Sequence, residues 1–167
     1  MFCPLINYEK QLSEILIKKV LSVSCAESCT GGLISSLLTD VSGSSSFIKS
    51  NFVTYSNEAK EKYLFVKPET LNNFGAVSKE TAFEMAKGLL KQSGTDFALS
   101  ITGVAGPTGG TKEKPVGLCF VGISYLDKTA TEKIIFPKWL PRKVIKYLFA
   151  KKAIYLLKKF IKENLDV

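Results

Sequence analysis

The chain has 167 residues, 46% of them apolar and 23% charged, with a net charge of +8 and no histidine. That composition is ordinary for a soluble globular protein of one domain. The missing histidines exclude Ser-His-Asp and Cys-His catalysis, histidine-ligated metals and histidine general bases. No apolar run approaches the roughly 20 residues of a membrane span, and the N-terminus lacks the basic and long apolar regions of a signal peptide.

In chain order, Tyr8, Leu12, Ile15 and Leu16 share one face of a helix expected over residues 8–19. Leu21, Val23 and Cys25 alternate with polar or small neighbours, which predicts a strand at 21–26. Leu33, Ile34, Leu37 and Leu38 predict a helix over about 30–39. Residues 40–46 form a serine- and glycine-rich loop, and Phe47 to Tyr55 reads as a strand. Ser56 or Asn57 caps a helix running through Lys60 to about Phe65. Pro68 begins a short helical turn that Gly75 ends. Ser78 caps a stronger helix, which buries Ala82, Met85, Ala86, Leu89 and Leu90 and closes near Gly94.

Asp96 to Thr102 is strand-like, and a long glycine-rich loop follows over 103–115. Val116 to Tyr125 is almost wholly apolar, as a strand covered on both faces should be. Asp127 and Lys128 turn the chain, Thr131 to Phe136 makes another strand, and Pro141 opens the last helix. Helices and strands interleave early, while strands lie adjacent late. The expectation is an α/β fold, a sandwich on a mixed sheet, in a single domain over 1–167.

The charge is concentrated. From Arg142 onwards, Arg142 and seven lysines face only Glu163 and Asp166, so this segment carries +6 of the +8. Val144, Ile145, Leu148, Phe149, Leu156, Leu157, Phe160 and Ile161 form the apolar stripe of an amphipathic helix, with the lysines as a solvated face. A nucleic-acid or membrane partner is therefore not expected. Cys3, Cys25, Cys29 and Cys119 are scattered and read as reduced thiols of a cytoplasmic protein. The spacing of Cys25 and Cys29 fits neither a redox motif nor a zinc site.

Three segments end strands beside polar or glycine-containing sequence: 27–32, 54–60 and 102–115. Ligands in α/β sheets collect at the carboxyl ends of strands. Ser28 sits between a strand and a helix start. There it can serve as a nucleophile with nearby N–H groups stabilising an oxyanion, or Ser28 or Thr30 can simply cap the helix. Gly31 and Gly32 let the backbone approach a ligand. Lys60 lies about one turn into its helix. With histidine absent it is the preferred base for Ser28, its alternative being an ordinary surface lysine. Tyr55 can donate to the site or relay a proton. The 103–115 loop lacks the ending of a P-loop; it either wraps a nucleotide with backbone N–H groups or is a surface loop without function.

Five motifs occur together, at Ala26–Gly32 (AESCTGG), Val53–Lys60 (VTYSNEAK), Gly75–Ser78 (GAVS), Thr102–Pro107 (TGVAGP) and Lys114–Gly117 (KPVG). In this order and spacing, over roughly residues 8–160, they closely resemble the CinA C-terminal domain family, the PncC nicotinamide mononucleotide deamidases. The resemblance implies an α/β/α fold that usually dimerises. It also implies an amidohydrolase that needs no metal or cofactor and converts a small nucleotide, nicotinamide mononucleotide, to nicotinic acid mononucleotide and ammonia. Carried over by motif, Ser28 is the nucleophile, Lys60 the base and Tyr55 their hydrogen-bonding partner. Thr30, Gly31, Gly32, Asn57, Thr102 and Gly103 are implied to contact ligand or line the pocket. Longer members carry an additional N-terminal domain that this sequence lacks. Where the family often shows Gly-Asp-Arg before the last helix, this chain has Leu140-Pro141-Arg142, and a family arginine one turn on is Lys146. Arg142 is left as a candidate phosphate ligand or an aid at the reaction centre. Two rivals remain at this stage: a non-catalytic pyridine-nucleotide-binding module, and a cysteine hydrolase using Cys29.

Overall fold

A computed structural model describes residues 2–165. Five strands, β1 (Val23–Glu27), β2 (Phe52–Val53), β3 (Phe97–Gly103), β4 (Leu118–Tyr125) and β5 (Lys128–Ile135), form one sheet in the order β2-β1-β3-β4-β5. β1 runs parallel to β2 and β3, while β4 and β5 add on antiparallel. Helices α1 (Tyr8–Lys19), α2 (Leu33–Thr39) and α6 (Arg142–Leu165) pack together on one face. Helices α3 (Asn57–Leu64), α4 (Pro68–Phe74) and α5 (Lys79–Ser93) cover the other. The result is a three-layer α/β/α sandwich on a mixed sheet.

The two faces have separate apolar cores. Val23, Cys25, Leu99 and Ile101 meet Leu12, Leu16, Ile34 and Phe149 on the first, and Ala26 and Ala98 meet Leu64, Met85 and Leu89 on the second. This alternation along β1 follows from the two-residue period of a strand, and it sets which face each side chain serves. The layers over the second core sit close. A Cβ on Gly88 of α5 would overlap the carbonyl of Leu64, so glycine here lets α3 lie directly against α5.

Several expected boundaries move. The strand expected from Phe47 to Tyr55 shrinks to Phe52–Val53, with one isolated bridge between Val23 and Ile48. Between them side chains replace the ladder: Asn51 Oδ1 accepts from Cys25 N–H at 2.8 Å, and Ser24 Oγ accepts from Ser50 N–H at 3.3 Å. β1 begins at Val23 rather than residue 21, and β5 begins at Lys128 rather than Thr131. α2 begins at Leu33 rather than about residue 30, because Gly31 and Gly32 take positive φ of 63° and 95° and keep the turn open.

The last helix departs from a simple stripe. Val144 is exposed, whereas Lys151 is buried and pairs with buried Glu9 at 2.8 Å. Its end at Asp166 and Val167 lies outside the described residues.

Candidate active site

Because β1, β2 and β3 are parallel, their carboxyl ends share one edge of the sheet, and β4 starts there beside Gly103. β5 ends at the same edge, beside Leu118, and from it residues 136–141 lead to Arg142 at the head of α6. Four chain segments thus converge above one edge.

Ser28 continues β1 by one residue: its N–H donates to Ile101 O at 3.1 Å, and its own carbonyl accepts from Gly31 N–H at 3.1 Å. The nucleophile candidate therefore stands on a hydrogen-bonded turn at the sheet edge. Strand alternation sends the side chain of Glu27 toward α2 and that of Ser28 toward α3.

Lys60 comes from the first turn and a half of α3, whose start is capped by Ser56 Oγ accepting from Ala59 N–H at 3.1 Å. Helical side chains lean toward their own N-terminus, so Lys60 reaches back over the cap. Its Nζ lies 3.2 Å from Ser28 Oγ and donates to Thr54 O at 2.8 Å, Tyr55 O at 3.3 Å and Ser56 O at 3.4 Å. Lys60 is only 1% exposed, and no carboxylate is among its partners. Burial pulls its pKa below the usual lysine range; charge interactions with Cys29 and Glu58 offset this only partly.

The cavity over this pair is about 280 Å³ and is bounded by Ser28, Cys29, Tyr55, Lys60, Thr102, Gly103 and Arg142. Thr102 is held by its hydroxyl donating to Ala76 O at 2.7 Å, which fixes the far wall. Gly103 packs so closely on Leu118 and Cys119 that a Cβ has no room. Arg142 donates to Gly106 O, tying the glycine-rich loop to α6, and its other nitrogen lies 3.4 Å from Tyr55 Oη. The loop from Val104 to Gly109 is thus a wall of the cavity rather than a free surface loop. A larger cavity, about 500 Å³, lies at the opposite edge of the sheet beside Phe65 and Leu126 and contains none of these groups.

The expected site residues meet the cavity differently. Tyr55 borders it but reaches Lys60 through its backbone carbonyl; the residue is 64% exposed and its hydroxyl meets Arg142 rather than Ser28. Thr30 is fully buried, with a hydroxyl that finds no hydrogen-bond partner. Gly31 closes the turn and Gly32 follows it, neither lining the cavity, and Gly32 N–H is taken by Glu27. Asn57 is exposed at the start of α3. Ala76 and Val77, absent from the expected set, line the cavity. Their Gly75–Ser78 motif was visible in the sequence, though nothing in it said that this corner closes the far wall.

Cys29 also borders the cavity. Burial pushes its thiol up to about 12, and the nearby Glu27 carboxylate adds to the shift. A thiol held that high stays protonated and is a poor nucleophile.

An α/β/α sandwich that buries a serine–lysine pair at the carboxyl edge of its sheet defines a serine–lysine type of site. The CinA C-terminal domain family matches residues 6–161, and the chain belongs to that family. The chain is 53% identical over 145 residues to a "CinA-like protein" of Endomicrobium trichonymphae, covering 87% of this chain and 33% of that one. It is 55% identical over 130 residues to a "CinA-like protein" of Kosmotoga olearia, covering 75% and 32%. The chain therefore spans about a third of the length of these curated relatives. Among solved structures, a competence/damage inducible protein from Agrobacterium tumefaciens superposes with TM-score 0.86 at 39% identity, covering 94% of this chain and 97% of that one. The competence damage-inducible protein A from Klebsiella pneumoniae gives TM-score 0.89 at 29% identity, covering 94% and 96%.

Proposed function

We propose that this domain is an amidohydrolase that deamidates nicotinamide mononucleotide to nicotinic acid mononucleotide and ammonia, using Ser28 as nucleophile and Lys60 as base. The observation that carries the reaction type is Lys60 Nζ at 3.2 Å from Ser28 Oγ, buried, with carbonyl oxygens and no carboxylate among its other hydrogen-bond partners. The substrate rests on the resemblance of the five motifs to the deamidase family; the names of the relatives and solved structures, CinA-like or competence/damage inducible, state no reaction.

A neutral Lys60 donates its two hydrogens to the carbonyls of Thr54 and Tyr55 and turns its lone pair to the Ser28 hydroxyl. Ser28 Oγ attacks the carboxamide carbon as Lys60 takes the hydroxyl proton. Collapse of the tetrahedral intermediate breaks the C–N bond, and Lys60 returns the proton to the departing nitrogen as ammonia. Lys60 then takes a proton from water as it attacks the Ser28 ester, and returns it to Ser28 Oγ as the C–O bond breaks and the acid leaves. The N–H of Cys29 follows the nucleophile at the cavity wall and, among the described residues, donates to no other residue, which suits it to the oxyanion. Arg142 at the mouth is the cation for the substrate phosphate, and Tyr55 Oη beside it orients that guanidinium.

Incubation with nicotinamide mononucleotide, following ammonia and nicotinic acid mononucleotide together, tests this reading. Equimolar release of both supports it. Saturable nucleotide binding without ammonia overturns it in favour of a binding module.

A further inference from the structure

Glu27 is the last residue of β1, adjacent to Ser28, and it is completely buried. Its carboxylate accepts four hydrogen bonds from the start of α2. Oε2 takes Gly32 N–H at 3.1 Å and Ile34 N–H at 3.0 Å, and Oε1 takes Ser35 N–H at 2.8 Å and the Ser35 hydroxyl at 2.6 Å. α2 has no side-chain cap of its own, since its N-cap residue is Gly32. A residue five positions upstream, across the turn that carries the nucleophile, therefore supplies the cap.

All four hydrogen bonds to the Glu27 carboxylate come from this helix start. Lys60 hydrogen-bonds one hydroxyl and three carbonyls on the other face of the sheet, so Glu27 is not its counter-ion. Three N–H groups at this helix start, those of Gly32, Ile34 and Ser35, are thereby already occupied.

We propose that Glu27 is a positioning residue for Ser28. Its carboxylate clamps the first turn of α2 to the end of β1 and so fixes the Ser28–Gly31 turn, which keeps Ser28 Oγ within reach of Lys60 Nζ. The inference rests on Ser28 being the nucleophile, but not on which amide it attacks. Glu27→Gln keeps the size of the side chain but sets its amide hydrogens against N–H donors. Ser35→Ala removes only one of the four donors and leaves the fold's buried charge in place.

The test is the rate at which a fluorophosphonate labels Ser28, located by peptide mass spectrometry, alongside kcat and KM for nicotinamide mononucleotide. Glu27→Gln should label at least about tenfold more slowly, with kcat falling in parallel and KM within about twofold, because positioning acts on the reacting step. Ser35→Ala should lose less, in the same direction, and it carries the test if Glu27→Gln does not fold. Unchanged labelling and kcat in a folded Glu27→Gln protein, or in Ser35→Ala when that variant carries the test, overturn the inference; so does a raised KM with kcat intact. A wild type labelled at Ser28 that releases no ammonia overturns the proposed substrate and leaves this inference standing. A wild type that takes no label at Ser28 overturns the inference itself.

Discussion

Lys60 Nζ meets Ser28 Oγ at 3.2 Å from a helix that starts three residues before it, so the two groups reach each other across the gap between β1 and α3. The lysine is buried with no carboxylate among its hydrogen-bond partners, and burial holds its pKa below the usual lysine range.

This depressed pKa has a readable pH signature. kcat/KM should rise as Lys60 loses its proton, with an inflection below the ordinary lysine value of about 10.4. Stability follows the same sign. Between the depressed value and about 10.4 the unfolded chain holds the extra proton, so stability rises with pH there, and below the depressed value the full cost of the buried charge persists. Lys60→Met should accordingly abolish turnover yet keep or raise the urea midpoint at neutral pH. A clear fall in that midpoint would show that the ammonium is well accommodated and undercut its role as a base.

Gly88 should matter to activity although it is far along the chain from Ser28. Gly88→Ala forces a methyl group against the carbonyl of Leu64 and pushes α3 away from α5. Overpacking of this kind costs roughly 1–3 kcal/mol. Because α3 carries Lys60, denaturant unfolding and kcat should both suffer. Full stability with full activity would mean that α3 sits more loosely than its packing indicates.

Much of this arrangement was legible in the sequence. Apolar periodicity and Ser56, Pro68, Ser78 and Gly94 marked the helices over 57–93 to within a residue, since caps and breakers act locally. That 27–32, 54–60 and the start of 102–115 meet was expected because each ends a strand, and ligands collect at the carboxyl ends of strands in α/β sheets. The edge strand β2 was overestimated, because Asn51 and Ser24 pair with backbone through side chains that no period reveals. Glu27 looked like an ordinary motif residue, since its partners Gly32, Ile34 and Ser35 depend on the fold of the turn. Tyr55 was expected to act through its hydroxyl, whereas its carbonyl reaches Lys60, a distinction set by backbone direction and not by residue type.

Lys151 was expected on the solvated face of α6, yet it is buried against Glu9 and also donates to Ile6 O at 2.7 Å. Removing one member of a buried pair strands the other charge. Lys151→Met should cost about 3–5 kcal/mol in chemical denaturation, and the double variant Glu9→Leu/Lys151→Met should recover most of it. A double variant no better than the single would show that α1 and α6 depend on the pair itself.

Cys29, one residue past Ser28, should be a bystander. With its thiol pushed up to about 12, it should resist iodoacetamide near pH 8, and Cys29→Ala should retain turnover. Rapid alkylation accompanied by loss of activity would favour the cysteine.

The serine–lysine account stands most directly on steady-state turnover of nicotinamide mononucleotide by wild type, Ser28→Ala and Lys60→Met, each checked for folding by circular dichroism. Partners that act as one unit lose activity almost completely when either is removed, so both variants should fall by at least about a thousandfold, with little added by combining them. Turnover undiminished in folded Ser28→Ala would contradict the account.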